Sequence, residues 1–423
     1  MKMTQRQFGF ILGSCAWLAL AAGARAEFFF QDATINADDT NYDGGDVVVV
    51  GCTLTINGPH TFSDMLLTDG GWITHSPATN SQTVGGVRGG TLLTIQNSLV
   101  VDAGSGFRAD GLSVTSSGGG GTIFTNYPFG ASEYYASGGG GGNAGRGGAS
   151  LGGAPGGNAG LLFPTGPNRL GSSGGAGGGP GGAGGGLIQL TIGDTLILDG
   201  SITANGADGT NSGAGGGSGG TIVISAESMA GTGSMAARGG AGELFAGGGG
   251  GGGQIEITCQ TNTWSGALAA GGGAGATAGG AGIVSVKSAA SVYAQVVVDN
   301  GGLRGTNTPL IFAQAVSLSV TGGAVGQWSP VNLPLGQAGP LGFSAPFPVG
   351  NLLVGSNSAI TFTPVSFVVG FNAAGDITIQ SGGQVNADGL GVSVKSNGDG
   401  NLFVTNGVTM AGGGGYGGVG GGW

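Results

Sequence analysis

The chain has 423 residues, of which 105 are glycine and only 8% are charged, a balance unlike that of an ordinary globular domain. Its 21 acidic residues outnumber 11 basic ones, which excludes the positive footprint that nucleic-acid binding needs. Collagen is excluded because stretches such as Thr191-Ile192-Gly193-Asp194-Thr195-Leu196 break a strict three-residue glycine period, and disorder is excluded because 39% of residues are hydrophobic.

Residues 1–26 read as a secretory signal. Lys2 and Arg6 precede an apolar run over residues 8–22, and Ala24-Arg25-Ala26 supplies a small-x-small site with cleavage after Ala26. A competing lipoprotein box, Leu12-Gly13-Ser14-Cys15, would leave only residues 8–12 as the apolar segment. No later stretch approaches the roughly 20 apolar residues of a membrane-spanning helix. The expected location is therefore secreted or cell-surface.

Next comes the one motif with a ligand chemistry. Asp39-Thr40-Asn41-Tyr42-Asp43-Gly44 matches the first half of a calcium loop, in which oxygen ligands alternate and glycine allows a sharp turn. Asp39, Asn41, Asp43 and Asp46 are the candidate calcium ligands, with Asp38 as a further oxygen source. The twelfth position is Val50 rather than a bidentate glutamate, so an Asx-rich turn between two strands is the alternative.

The histidines His60 and His75 follow or precede prolines, read as surface turns, and belong to no nucleophile motif. Past the leader only Cys52 and Cys259 remain, too few for a disulfide framework, and both read as buried free thiols.

From residue 186 onward a repeat sets the organisation. Ser201-Ile202-Thr203-Ala204-Asn205-Gly206, Ser234-Met235-Ala236-Ala237-Arg238-Gly239 and Ala267-Leu268-Ala269-Ala270-Gly271-Gly272 recur at a spacing of 33 residues. Strand-like runs open on Gly186, Gly220, Gly253 and Gly282, at spacings of 34, 33 and 29. Each unit then supplies two short strands, a turn with alanine at a cramped corner, and a glycine-rich loop that returns the chain one level higher. Stacking predicts Ile222, Ile255 and Ile283 in one column. The stretch 138–186 is the longest expected surface loop.

Copies of the six-residue motif also occur at 106–111 and 384–389, and in part at 34–39. The expected organisation is a glycine-rich solenoid over 27–290, a proline-containing boundary over 291–350, and a second solenoid segment over 351–423. The sequence stops inside a glycine tract, as the N-terminal part of a longer protein would.

The glycine tract, short Ile/Val strand and Ser-Ile-Thr-Ala-Asn-Gly motif resemble the glycine-rich parallel β-helix repeats of bacterial secreted and surface proteins, including adhesin and autotransporter-passenger regions. That resemblance implies an all-β parallel β-solenoid with glycine-rich loops, and a structural or adhesive role toward extracellular matrix, cell surface or polysaccharide. It supplies no catalytic residue.

A polysaccharide-binding or polysaccharide-degrading β-helix is the alternative. The carboxylate pairs Asp194 with Asp199 and Asp102 with Asp110 would be its acid–base candidates, and Trp72, Trp264, Trp328, Tyr134 and Tyr135 its stacking platforms. Aspartate also suits turns between strands, and few basic residues are present to hold an acidic polymer, so catalysis is not expected.

Overall fold

The computed structural model describes residues 26–77, 89–113, 120–126, 134–159, 170–312, 314–328, 347–362, 371–386, 403–405 and 408–410. The leader before Ala26, residues 161–163, most of the proline cluster and the terminal glycine tract lie outside them.

Among the described residues the fold is all-β, with a single short turn of helix at Thr40–Tyr42. Strands assemble into a 16-stranded, a seven-stranded and a four-stranded sheet, and within these the neighbours run parallel. One pair is the exception, Ile283–Ser288 against Ala294–Asp299, which runs antiparallel.

The columns follow from strand alternation. In the 16-stranded sheet Ile188 pairs with Ile222 and Ile222 with Ile255, each wholly buried. In the seven-stranded sheet Phe107, Ile202, Met235 and Leu268 form one column across successive strands, and the first three are 0–1% exposed. Rungs about 4.8 Å apart bring each aliphatic side chain onto the next, and burying one is worth about 1.5–3 kcal/mol. The corner alanines Ala109, Ala204, Ala237 and Ala270 are buried at the ends of these strands.

The fourth unit departs from the expected column. Ile255 pairs with Val284, and Ile283 faces Gln254 instead. Gly282 follows Gly253 by 29 residues, so the position 29 after Ile255 is Val284, while Ile283 falls opposite Gln254 and strand alternation turns it to the other face. Val284 accordingly packs in the first core and Ile283 in a second core with Val296, Leu318, Val320, Leu352 and Ile360.

The glycine tracts are not loops. Residues 137–145, 213–220 and 246–253 are buried throughout. Within 215–220 the amide N–H groups point in three directions in rotation. Gly215 and Ser218 donate to Gly175 and Ser172, Gly216 and Gly219 to Gly248 and Gly251, and Gly217 and Gly220 to Ala207 and Ala204. Residues 248–253 repeat the rotation toward Gly138 and Gly141, Thr277 and Gly280, then Gly240 and Ala237.

A return to the same neighbour every third residue is the mark of a polyproline II helix, which has three residues per turn and no internal hydrogen bonds. No residue of 214–220 or 247–253 has a positive φ, in keeping with that extended form. Neighbouring segments thus take the place of water around each backbone. Collagen needs glycine at every third position because one side of each chain faces the axis. A segment enclosed on three sides needs it nearly everywhere, and a methyl group on Gly215, Gly216, Gly217, Gly219 or Gly220 would overlap a neighbouring carbonyl oxygen.

The lattice is continuous with the sheets. Residues 217–220 and 250–253 lead directly into Thr221–Ala230 and Gln254–Asn262, while 204–207 and 237–240 leave Ser201–Thr203 and Ser234–Ala236. Each outgoing arm bonds its own returning arm, and the insertion at 138–148 and 171–175 packs a third row against them.

Candidate functional site

At the calcium-like motif one oxygen each of Asp39 and Asp43 is engaged within the protein, while Asp46 Oδ1 is enclosed without a hydrogen-bond partner. Asp39 caps the short helix, and its Oδ1 accepts from the Asn41 backbone N–H at 3.2 Å and from Asn41 Nδ2 at 2.8 Å. Asp43 Oδ1 lies 3.0 Å from His60 Nδ1 and accepts from the Thr61 N–H at 3.3 Å. Asp46 is 3% exposed, and burial, with the negative charge of Asp64 nearby, raises its pKa above the usual carboxylate range. The Asx-turn alternative accounts for the contacts of Asp39 and Asn41.

Elsewhere the acidic and amide side chains hold one rung to the next. Asp110 accepts from the Asn205 N–H at 2.6 Å and the Thr203 hydroxyl at 2.9 Å. Asn205 accepts from the Arg238 N–H, Asp208 from Ala241 N–H and Asp199 from Thr232 N–H, each across 33 residues. The spacing is that of the repeat, so each turn caps the turn above it. Asp194 bonds Thr195 locally at 3.1 Å. Thus Asp110, Asp194 and Asp199 have structural partners, and a turn-stabilising role explains their placement without acid–base chemistry.

Both histidines are buried rather than surface turns. His60 is 3% exposed, stacks on Phe62 with ring centroids 6.0 Å apart, and keeps Nε2 enclosed without a partner. His75 is 2% exposed, donates from Nδ1 to the Ser76 carbonyl at 2.8 Å, and also leaves Nε2 enclosed. The alternation of Gly58–Phe62 explains the first, since it turns His60 and Phe62 to the same inner face. Among the described residues no hydroxyl or thiol is hydrogen-bonded to either imidazole.

Cys52 and Cys259 are buried free thiols, and burial raises the pKa of each. Trp328 is buried against Phe312, and Trp72 is half-buried beneath the Arg108 guanidinium, 5.4 Å from its ring centroid. Trp264 is half-buried against the first core. The side chains of Tyr134 and Tyr135 lie outside the described residues.

Two surface features remain. Thr61, Thr94, Thr191, Ser225 and Thr258 pair in succession down the outside of the 16-stranded sheet, a column of hydroxyls one rung apart. A cleft of about 550 Å³ lies beside Ala267–Ala269, with Leu268, Val284, Val297 and Leu303 on its walls and Arg238 and Asp299 among its lining.

Among the described residues no group of three or more His, Cys, Asp or Glu is placed to hold a metal ion, and no helix is long and apolar enough to cross a membrane. Comparison of the chain with protein-family models, curated proteins and solved structures gives no match.

Proposed function

We propose that this chain is a secreted or cell-surface repeat protein that folds as a parallel β-solenoid and has a structural or adhesive role without catalysis, akin to the glycine-rich β-helix regions of bacterial surface proteins. The observation that carries this reading is the destination of its polar groups. Carboxylates cap neighbouring turns, and glycine amides bond one another in a buried lattice. A fold whose hydrogen bonds are so largely internal suits persistence outside the cell. The exposed hydroxyl column offers uncharged hydrogen bonding at regular intervals, chemistry suited to a sugar polymer as the adhesive target.

Expression of the chain with its leader in a bacterial host tests the reading. The expected product is found in the envelope or medium, begins at Glu27 by mass spectrometry, and keeps residues 187–288 intact under prolonged proteinase K. An uncleaved product retained in the cytoplasm would reject export. Rapid digestion of 187–288 would reject the structural role.

A further inference from the structure

The seven-stranded sheet stops one strand early. Every described rung from Gly106–Arg108 to Ala267–Ala269 except the last is covered on both sides by a parallel neighbour, and among the described residues Ala267–Ala269 pairs with Ser234–Ala236 alone. The fourth unit supplies no successor, because Ile283–Ser288 is followed by a reversal and the chain runs back as Ala294–Asp299. Pairing above Gln254–Asn262 likewise ends at Cys259 with Ser288, followed by one bond from the Ala289 N–H to the Gln260 carbonyl at 3.3 Å, and Thr261 and Asn262 beyond it are exposed.

The interior shows the same gap. Leu268 is only half-buried, whereas Ile202 and Met235 below it in the column are 0% and 1% exposed. The cleft of about 550 Å³ is lined by Leu268 of this edge, by Val284 and Val297, and by Asp299 and Leu303, while Asn300 accepts from the Gly272 N–H at 2.7 Å just beyond the strand. The N–H groups of Thr263, Ser265 and Ala267 all donate back to the preceding rung, at Met229, Gly231 and Gly233. The Trp264 N–H is taken by the Asn262 side chain at 3.1 Å, whereas Leu268 lies at the alternate position that directs backbone groups to the open side, as an edge strand does, and Ala267-Leu268-Ala269 carries neither charge nor proline to blunt it.

We propose that this edge binds an extended segment of another polypeptide, added as the next parallel strand, with an aliphatic side chain stacked about 4.8 Å above Leu268 in the cleft. The column specifies the occupant. Its central residue is aliphatic, as Ile202, Met235 and Leu268 are, and the residue two positions later is small, as Ala204, Ala237 and Ala270 are. A lipid or small apolar ligand could fill the cleft but would leave the edge backbone groups unpaired, whereas an extended peptide satisfies both. The inference rests on the observed strand register and does not depend on the adhesive reading.

The probe is a fluorescein-labelled peptide with the sequence of residues 199–209, titrated against the full chain and followed by anisotropy. Saturable binding is expected, at least tenfold weaker for the peptide bearing Ile202→Asp and for one N-methylated on the backbone between Ile202 and Ala204. The protein variant Leu268→Lys is expected to lose binding by a similar factor, and the two modified peptides carry the test if that variant fails to fold. No saturable binding, or equal binding of the modified peptides, overturns the proposal. So does a concentration-dependent dimer of the free chain that excludes the peptide, since the occupant would then be a second copy.

Discussion

His75 couples this fold to pH. Its Nδ1 donates to the Ser76 carbonyl and its enclosed Nε2 has no partner, so the neutral ring fits and the charged ring does not. Burial lowers its pKa from the ordinary value of 6.5. The unfolded chain then takes up a proton at a pH where the folded chain does not, so this contribution is present above pH 6.5 and is lost as pH falls through the folded value. Asp46 and Glu256, whose pKa values burial raises, act with the opposite sign, favouring the fold below their ordinary values and disfavouring it as pH rises. The melting midpoint is therefore best compared between pH 7.5 and 5.5 in the parent and in His75→Gln. The parent is expected to lose more on acidification, and an equal loss in both would assign the effect elsewhere. At this scale the sequence reads ambiguously. The neighbouring Pro59 suggests an exposed turn for His60, yet the alternation of His60 with Phe62 was the signal for an inward face. The calcium-like motif counts oxygens, but the partners of Asp43 are decided by His60 and Thr61 on Gly58–Phe62, two strands beyond the one that follows the motif.

Among the elements, the glycine lattice makes the sharpest prediction. Gly250 donates to the Gly240 carbonyl, and a methyl group there would overlap the Gly217 carbonyl oxygen. Rigid backbone on every side cannot give way, so Gly250→Ala is expected to cost about 3 kcal/mol or more by chemical denaturation. Gly178 has a negative φ and a nearest contact of 3.5 Å, so Gly178→Ala is expected to change stability by less than about 0.5 kcal/mol. Equal tolerance at both positions would mean that the tracts are loops after all. The strands themselves were legible, because Ile/Val alternation and a 33-residue spacing place each motif on its own copy. The lattice was not, because a run of glycines has the same composition whether water or backbone surrounds it. One signal was available. The tracts over 213–220 and 246–253 are interrupted only by alanine and serine, without the aspartate and asparagine typical of turns.

Over the whole molecule, two cores meet at the antiparallel pair of Ile283–Ser288 with Ala294–Asp299. Stacked rungs couple to their nearest neighbours, so a defect in one core should not spread through the other. Leu318→Ala, in the second core, is expected to speed amide exchange over the described strands of 294–362 and to leave 187–262 unchanged. Faster exchange throughout would make the chain one cooperative unit.

The sequence by itself determined the strand-rich class, the alignment of Ile202 with Met235 and Leu268 at a 33-residue spacing, and the alanines at the cramped corners. It could do so because the neighbour of each rung in space is the next unit along the chain, so a fixed spacing is already a contact. Tertiary structure decided the burial of the glycine tracts, the reversal that leaves Ala267–Ala269 open, and the second core that receives Ile283. Those outcomes depend on segments remote in sequence, as when the Gly248 amide bonds the Gly138 carbonyl, and no local periodicity encodes which backbones enclose which.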